Sequence, residues 1–277
     1  MSIQLAGLTL ASRVMVASGC GGTGRELAPY VDVSALGAFV TRSLTLDPRE
    51  GNPMPRVAEA PSGFVHAIGL QNPGLESFLA LELPWLAQQR ARTFVSITGS
   101  TLGEYAELAR RLVNAPGVSG IELNLSQPDG PALGLFDSRE PFQAARVVGT
   151  VRRELPRGVA LTAKLAADPI RVAEAAGLCA EAGVDALVLV NAVPALMPDG
   201  RQAGLSGPAI APLARRCVAD VRAALPDLPL IGAGGVATAA DARTLLAAGA
   251  DAVQVGSALL HDPTVAARLA AELEGDA

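Results

Sequence analysis

Short apolar runs alternate with stretches of helical spacing along this chain, and the runs repeatedly close on glycine or on a polar residue. Ile3 to Leu10 alternates and turns at Gly7, which predicts a small hairpin closing the bottom of a barrel. Arg13 to Ser18 predicts the first buried strand, ending in Gly19-Cys20-Gly21-Gly22, where backbone can lie flat against a ligand. Gly37 to Leu44 predicts the second and leaves Arg42 and Ser43 at its C-terminal end. The connection from Thr45 to Asn72 is rich in Pro and Gly with few helix signals, and a loop that long in a compact domain points to function.

Pro73 to Arg90 has apolar positions at helical spacing with Asn72 as N-cap. Strand three is Arg92 to Thr98, followed by a helix from Thr101 to Asn114 in which Thr101 and Glu104 form a capping pair. Strand four is Val118 to Leu125, followed by the polar loop Ser126 to Ser138 and a helix reaching Leu155. Strand five, Val159 to Leu165, carries Lys164 near its end; helix Pro169 to Ala182 and strand six, Ala186 to Asn191, come next. A Pro/Gly-rich loop, Ala192 to Gly207, leads to helix Pro208 to Leu225. Strands seven (from Leu230) and eight (Ala252 to Val255) enclose a helix starting near Thr238, and Asp262 begins a last helix with Pro263 in its first turn. Eight strands each followed by a helix is the pattern of a (β/α)8 TIM barrel, read as one domain over residues 1–277.

Composition narrows the class. Aromatic residues make up only 3% and hydrophobic residues 50%, so Ala, Val, Leu and Ile must build the core, as they do in βα layers. The net charge is −5 with no basic block, which leaves nucleic acid and anionic membranes without an electrostatic footprint. Three cysteines without C-x-x-C spacing indicate neither a disulfide framework nor an iron–sulfur or zinc site, and no leader or spanning segment is legible, so a cytoplasmic protein is expected.

Chemistry in such a barrel gathers at the C-terminal strand ends. Those ends carry Ser18, Arg42, Ser96, Glu122, Asn124, Lys164 and Asn191. The turns Gly232, Gly234-Gly235 and Gly256-Ser257 after strands seven and eight read as a phosphate cradle, because glycine backbone and a helix N-terminus both favour an anion. A lysine ending a buried strand is costly unless it is used, which makes Lys164 a site residue. Glu122 shares the face of Asn124 and is expected only to support Lys164 or Arg42. No Ser-His-Asp set and no converging metal ligands are present at the strand ends. Cations at strands two and five with a phosphate cradle at seven and eight suit flavin mononucleotide, with a cation beside the ring to stabilise its reduced anion.

At this point the chain resembles the class 1 dihydroorotate dehydrogenases, most closely class 1B. The segment TRSLTLDPREGNPMPRVAEAPSGFVHAIGLQNPG, Thr41 to Gly74, is similar to the family's loop after strand two, and IELNLSQP, AKL, LVN, GLSGPAI, IGAGGV and VQVGSAL follow in the family's order. The resemblance implies an FMN barrel held by Ser18, Gly19, Arg42, Ser43, Ser96, Asn124, Lys164, Val190, Gly207, Gly234, Gly235, Gly256 and Ser257. It implies a small-molecule substrate stacked on the flavin and lined by Arg42, His66, Gly69, Leu70, Asn72, Asn124, Asp129, Asn191 and Ala192. It also implies a homodimer and, as in class 1B, a separate subunit with FAD and an iron–sulfur cluster that passes electrons to NAD, with a soluble electron acceptor as the alternative.

The departures from the family concentrate at the substrate. Arg42 replaces a lysine, His66 an asparagine, Asp129 an asparagine and Ala192 a threonine, and Gln127 stands where the catalytic cysteine is expected. A carboxamide cannot take up a proton near neutral pH, so the proton-transfer role falls to His66, then Cys20, then Asp129. The expected activity is interconversion of CH–CH and C=C in a small polar substrate other than dihydroorotate. Competing readings are a true dihydroorotate dehydrogenase with a relocated base, a non-catalytic flavin or phosphate-ligand barrel, and a lyase or isomerase using Lys164.

Overall fold

A computed structural model describes residues 2–127 and 139–275. The strands are β1 (Ile3–Leu5), β2 (Leu8–Leu10), β3 (Val14–Val16), β4 (Phe39–Val40), β5 (Val57–Ala60), β6 (Gly63–His66), β7 (Thr93–Ile97), β8 (Val118–Asn124), β9 (Ala160–Lys164), β10 (Ala186–Leu189), β11 (Val193–Leu196), β12 (Gln202–Ser206), β13 (Leu230–Ala233) and β14 (Ala252–Val255). Parallel pairing in the order β3-β4-β7-β8-β9-β10-β13-β14 closes back on β3, making the expected barrel. Helices α1 (Gly74–Ser77), α2 (Leu83–Gln88), α3 (Leu102–Leu112), α4 (Pro141–Glu154), α5 (Val172–Glu181), α6 (Ala211–Ala224), α7 (Ala239–Ala247) and α8 (Val265–Glu274) lie outside it.

Strand alternation sorts the side chains into two environments. Odd-facing residues such as Val95, Ile97, Ile121, Leu123, Leu187, Val253 and Val255 pack outward with the helices in one apolar cluster. Inward-facing Met15, Val40, Phe94, Ala160, Val188, Ile231 and Ala252 fill the bore, and Leu5 and Leu10 of the β1–β2 hairpin plug its lower end. Above that plug the same inward parity carries Ser96, Glu122, Thr162, Lys164 and Gln254, all buried. The barrel is therefore oily below and polar above, and the polar layer faces the cavity at the strand ends.

Helix starts follow their caps. Thr101 accepts from the Glu104 amide at 3.2 Å, and Thr238 with Asp241 completes a capping box ahead of α7. Several boundaries differ from expectation, among them the start of α5 at Val172 in place of Pro169. The Pro73–Arg90 stretch is helical but passes through a π segment at Phe78–Glu82 just before Pro84, whose ring removes an amide donor and crowds the preceding turn. Its N-cap is Pro73, and Asn72 accepts from the Gly74 amide at 2.9 Å one residue outside. The last helix starts at Val265; Asp262 and Pro263 form a separate turn in which Asp262 accepts from Thr264.

The larger departure lies in the two long connections, which were expected to be loops. Val57–Ala60 and Gly63–His66 form a hairpin, Val193–Leu196 and Gln202–Ser206 form another, and the two join as the antiparallel sheet β11-β12-β6-β5 above the barrel. Gly204 pairs with His66 and Ser206 with Phe64.

Candidate active site

Two joined cavities of about 200 and 240 Å³ open at the C-terminal strand ends, sharing Ser18, Gly19, His66, Ile68, Lys164 and Asn191. The first is walled by Val190, Gly207, Gly234, Gly235, Gly256 and Ser257, with Cys20 and Ala192. The second is walled by Arg42, Ser43, Ser96, Asn124, Gln127 and Leu70, with Gln71 and Glu122. Every residue expected to hold the cofactor thus faces one continuous space.

The first lobe is shaped by backbone. Gly234 and Gly235 have φ of +109° and +80°, where a side chain is strained, and a Cβ on Gly235 would stand 2.5 Å from that of Ala211 at the start of α6. Those turns bring bare backbone against the cavity, which suits a phosphate. In the second lobe Ser43 and Ser96 share a hydrogen bond at 2.9 Å, and Asn124 donates to Ser43 at 3.0 Å. Asn191 donates to the Ser126 carbonyl and hydroxyl, each at 3.0 Å, which fixes its amide. Arg42 donates through Nη1 to the Gln71 carbonyl at 3.2 Å, while its buried Nε has no partner among the described residues. A backbone anion cradle at one end, hydroxyls and amides along the wall, and cations at Arg42 and Lys164 fit FMN, whose phosphate, carbonyls and ring nitrogens need those groups.

Lys164 is buried and donates to Gln254 Oε1 at 2.9 Å, and Gln254 donates through Nε2 to Glu122 Oε2 at 2.6 Å. Burial raises the Glu122 carboxyl above its usual range, with Lys164 and the Gln254 hydrogen bond pulling the other way. Gln254 escaped the sequence reading. Its signal was a polar residue at the inward position of the otherwise apolar strand AVQV.

Three expected positions come out differently. Asn72 is buried outside the linings of both lobes; it accepts from the Thr45 and Gly74 amides and donates to Thr45 Oγ1 and the Leu70 carbonyl, so its amide braces the loop. Gly69 lies outside both linings, in a positive-φ turn packed on Asn52, while its neighbour Leu70 reaches the cavity. Cys20 lines the cofactor lobe, but burial pushes its thiol pKa up against the pull of Lys164, a poor setting for a thiolate base. His66 faces both lobes from β6, and Gln127 faces the second. Asp129 falls outside the described residues. Ile68, within the expected 66–70 segment, lines both lobes, and Gln71, not anticipated, lines the second just after the β5–β6 hairpin.

Fold and cavity together define a (β/α)8 barrel with a two-lobed cavity at its C-terminal strand ends, one lobe edged by glycine turns. The chain belongs to the dihydroorotate dehydrogenase family, whose model, described as "Dihydroorotate dehydrogenase", matches residues 1–276. It is 44% identical over 283 residues to a protein of Pelobacter propionicus named "Dihydroorotate dehydrogenase B (NAD(+)), catalytic subunit", covering 99% of this chain and 92% of that one. A protein of Desulforudis audaxviator with the same name is 44% identical over 282 residues, covering 99% and 91%. A crystal structure of DHODH in complex with ferulenol from Eimeria tenella superposes with a TM-score of 0.83 at 21% identity, covering 99% of this chain and 84% of that one, and supports the fold. The chain is thus a flavin-dependent oxidoreductase acting on CH–CH groups, with FMN as its cofactor. No helix among the described residues is long and apolar enough to cross a membrane.

Proposed function

We propose that this enzyme interconverts CH–CH and C=C in a small polar substrate other than dihydroorotate. The observation that carries the proposal is the side chain at position 127, which faces the substrate lobe and is a carboxamide where the family is expected to place its base. FMN, when bound, supplies the hydride exchange. His66 moves the proton: it stands over both lobes on β6, and imidazole titrates near neutrality. Arg42 presents a planar fork where the family has an ammonium, and Asn124 with Asn191 offers amides to the ring of the substrate. Ala192, on the wall of the first lobe, offers no hydroxyl where a threonine is expected.

The test is anaerobic addition of dihydroorotate to the yellow protein. The flavin absorbance is expected to stay unbleached over minutes; prompt bleaching would instead make the chain a dihydroorotate dehydrogenase with its base moved to His66. That second reading is favoured by one observation, the 44% identity to relatives named as such catalytic subunits. Under either reading electrons leave through a separate electron-transfer subunit or a soluble acceptor; the relatives' naming as catalytic subunits supports the former. A cytoplasmic homodimer completes the proposal.

A further inference from the structure

The buried line Lys164–Gln254–Glu122 spans the bore. Lys164 and Glu122 sit on neighbouring strands β9 and β8, while β14, which carries Gln254, belongs to the opposite wall. Each of the three is at most 6% exposed. Glu122 and Lys164 face the same polar layer, so a direct ion pair between them would be the ordinary outcome. A carboxamide stands between them instead. Its orientation is set by chemistry: only the oxygen can accept from an ammonium, and only the NH2 can donate to a carboxyl.

We propose that Gln254 is the positioning residue of Lys164: anchored by Glu122, it holds the ammonium at the cofactor and apart from the carboxyl, and so sets the reduction potential of the bound flavin. An ammonium accepting a direct carboxylate partner would spend its field on that partner. Held by a neutral carbonyl oxygen, it keeps two further N–H groups for the cavity that it lines. Glu122 in turn has one oxygen on Gln254 and its other, Oε1, buried with no partner among the described residues. An arrangement that leaves a carboxyl oxygen unpaired is costly, and Glu122 itself lines the second lobe, as expected where the layer is built around the cavity and not for stability. The inference rests on FMN being the cofactor and does not depend on which substrate is used.

The experiment is equilibration of the FMN-loaded protein with redox dyes of known potential, driven by dithionite, which requires no substrate. Gln254→Leu frees the ammonium, and Gln254→Glu, close in shape, sets a carboxylate against it. Both are expected to make two-electron reduction about tenfold or more less favourable, a fall of about 30 mV or more. In a Lys164→Met background the same changes are expected to shift the potential less than twofold, which separates positioning from a general packing effect. Gln254→Glu keeps the test standing if Gln254→Leu does not fold. A potential within twofold of the parent in flavin-loaded Gln254→Glu would overturn the inference, as would an equal shift with and without Lys164.

Discussion

The lobe edged by the glycine turns rests on β13, β14 and β3, barrel strands paired on both sides, and is roofed by Val57, His66 and Ser206 of a small sheet whose outer strands β5 and β11 are edges, whereas the second lobe meets that sheet through His66, with Ile68, Leu70 and Gln71 beyond it. Turns between fully paired strands have little freedom, so the phosphate end is shaped by backbone and tolerates few side chains. The roof is joined to the barrel by long segments and reaches the cavity through His66, Ile68, Leu70 and Gln71. Such a surface can exchange side chains without disturbing the barrel. Of the positions expected to depart from the family, Arg42 and Gln127 line the second lobe, His66 lines both and Ala192 lines the first. The expectation to test is that cofactor binding and substrate choice can each be broken without the other.

The largest break is at the cradle. Gly235→Ala forces a side chain into a positive-φ position, costing about 1–2 kcal/mol, and presses it on the first turn of α6, whose Ala211 Cα would stand 2.8 Å away. Overpacking there adds about 1–3 kcal/mol. The expected result is protein that purifies colourless and unfolds at lower denaturant; a yellow protein of unchanged stability would show that the turn is not the phosphate seat. The next break lies at the roof. His66→Ala is expected to lower turnover by about 10²–10⁴-fold with flavin retained, the usual weight of a positioned acid–base group. Stopped-flow reduction by the natural substrate measures it, and unchanged reduction would remove His66 from proton transfer.

The barrel was legible because each strand carries its own signal, an apolar run whose two faces are both covered. The glycine turns were legible for the same local reason, adjoining strand ends. The roof was not, because β6 pairs with β12 from well over a hundred residues away, and neither hairpin buries enough surface to announce itself. Val57–Ala60 and Gly63–His66 do alternate around Pro61-Ser62, a hairpin signal hidden in a stretch otherwise full of Pro and Gly. Asn72 shows a second limit: sequence places a polar residue near a site but cannot tell whether its hydrogen bonds are spent on its own loop. Its amide bridges Thr45, Leu70 and Gly74, so Asn72→Ala is expected to cost about 1–3 kcal/mol in stability and to raise KM by loosening Leu70, with flavin affinity unchanged. Loss of flavin together with substrate affinity would mean that the roof and the cradle are coupled after all.

The smallest effect concerns the polar layer shared by both lobes. Burial holds the Glu122 carboxyl pKa above its usual value of 4.5, opposed by Lys164 and by Gln254. A carboxyl raised on folding contributes stability that is fully present below the unfolded-state pKa and is lost as pH rises through the folded one, since the native state must then carry a buried charge or keep a proton that the unfolded chain releases. Glu122→Gln removes this titration while keeping an acceptor for Gln254. Urea midpoints taken between about pH 4 and pH 8, where unfolded Glu titrates near 4.3, should therefore move in favour of the variant as pH rises. Any fixed offset between the two proteins reflects the new NH2 group, and only the slope carries the argument. The opposite slope, with the parent gaining on the variant at higher pH, would mean that Glu122 is ionised against Lys164 and that the ammonium is already shared with a carboxylate, not reserved for the cofactor.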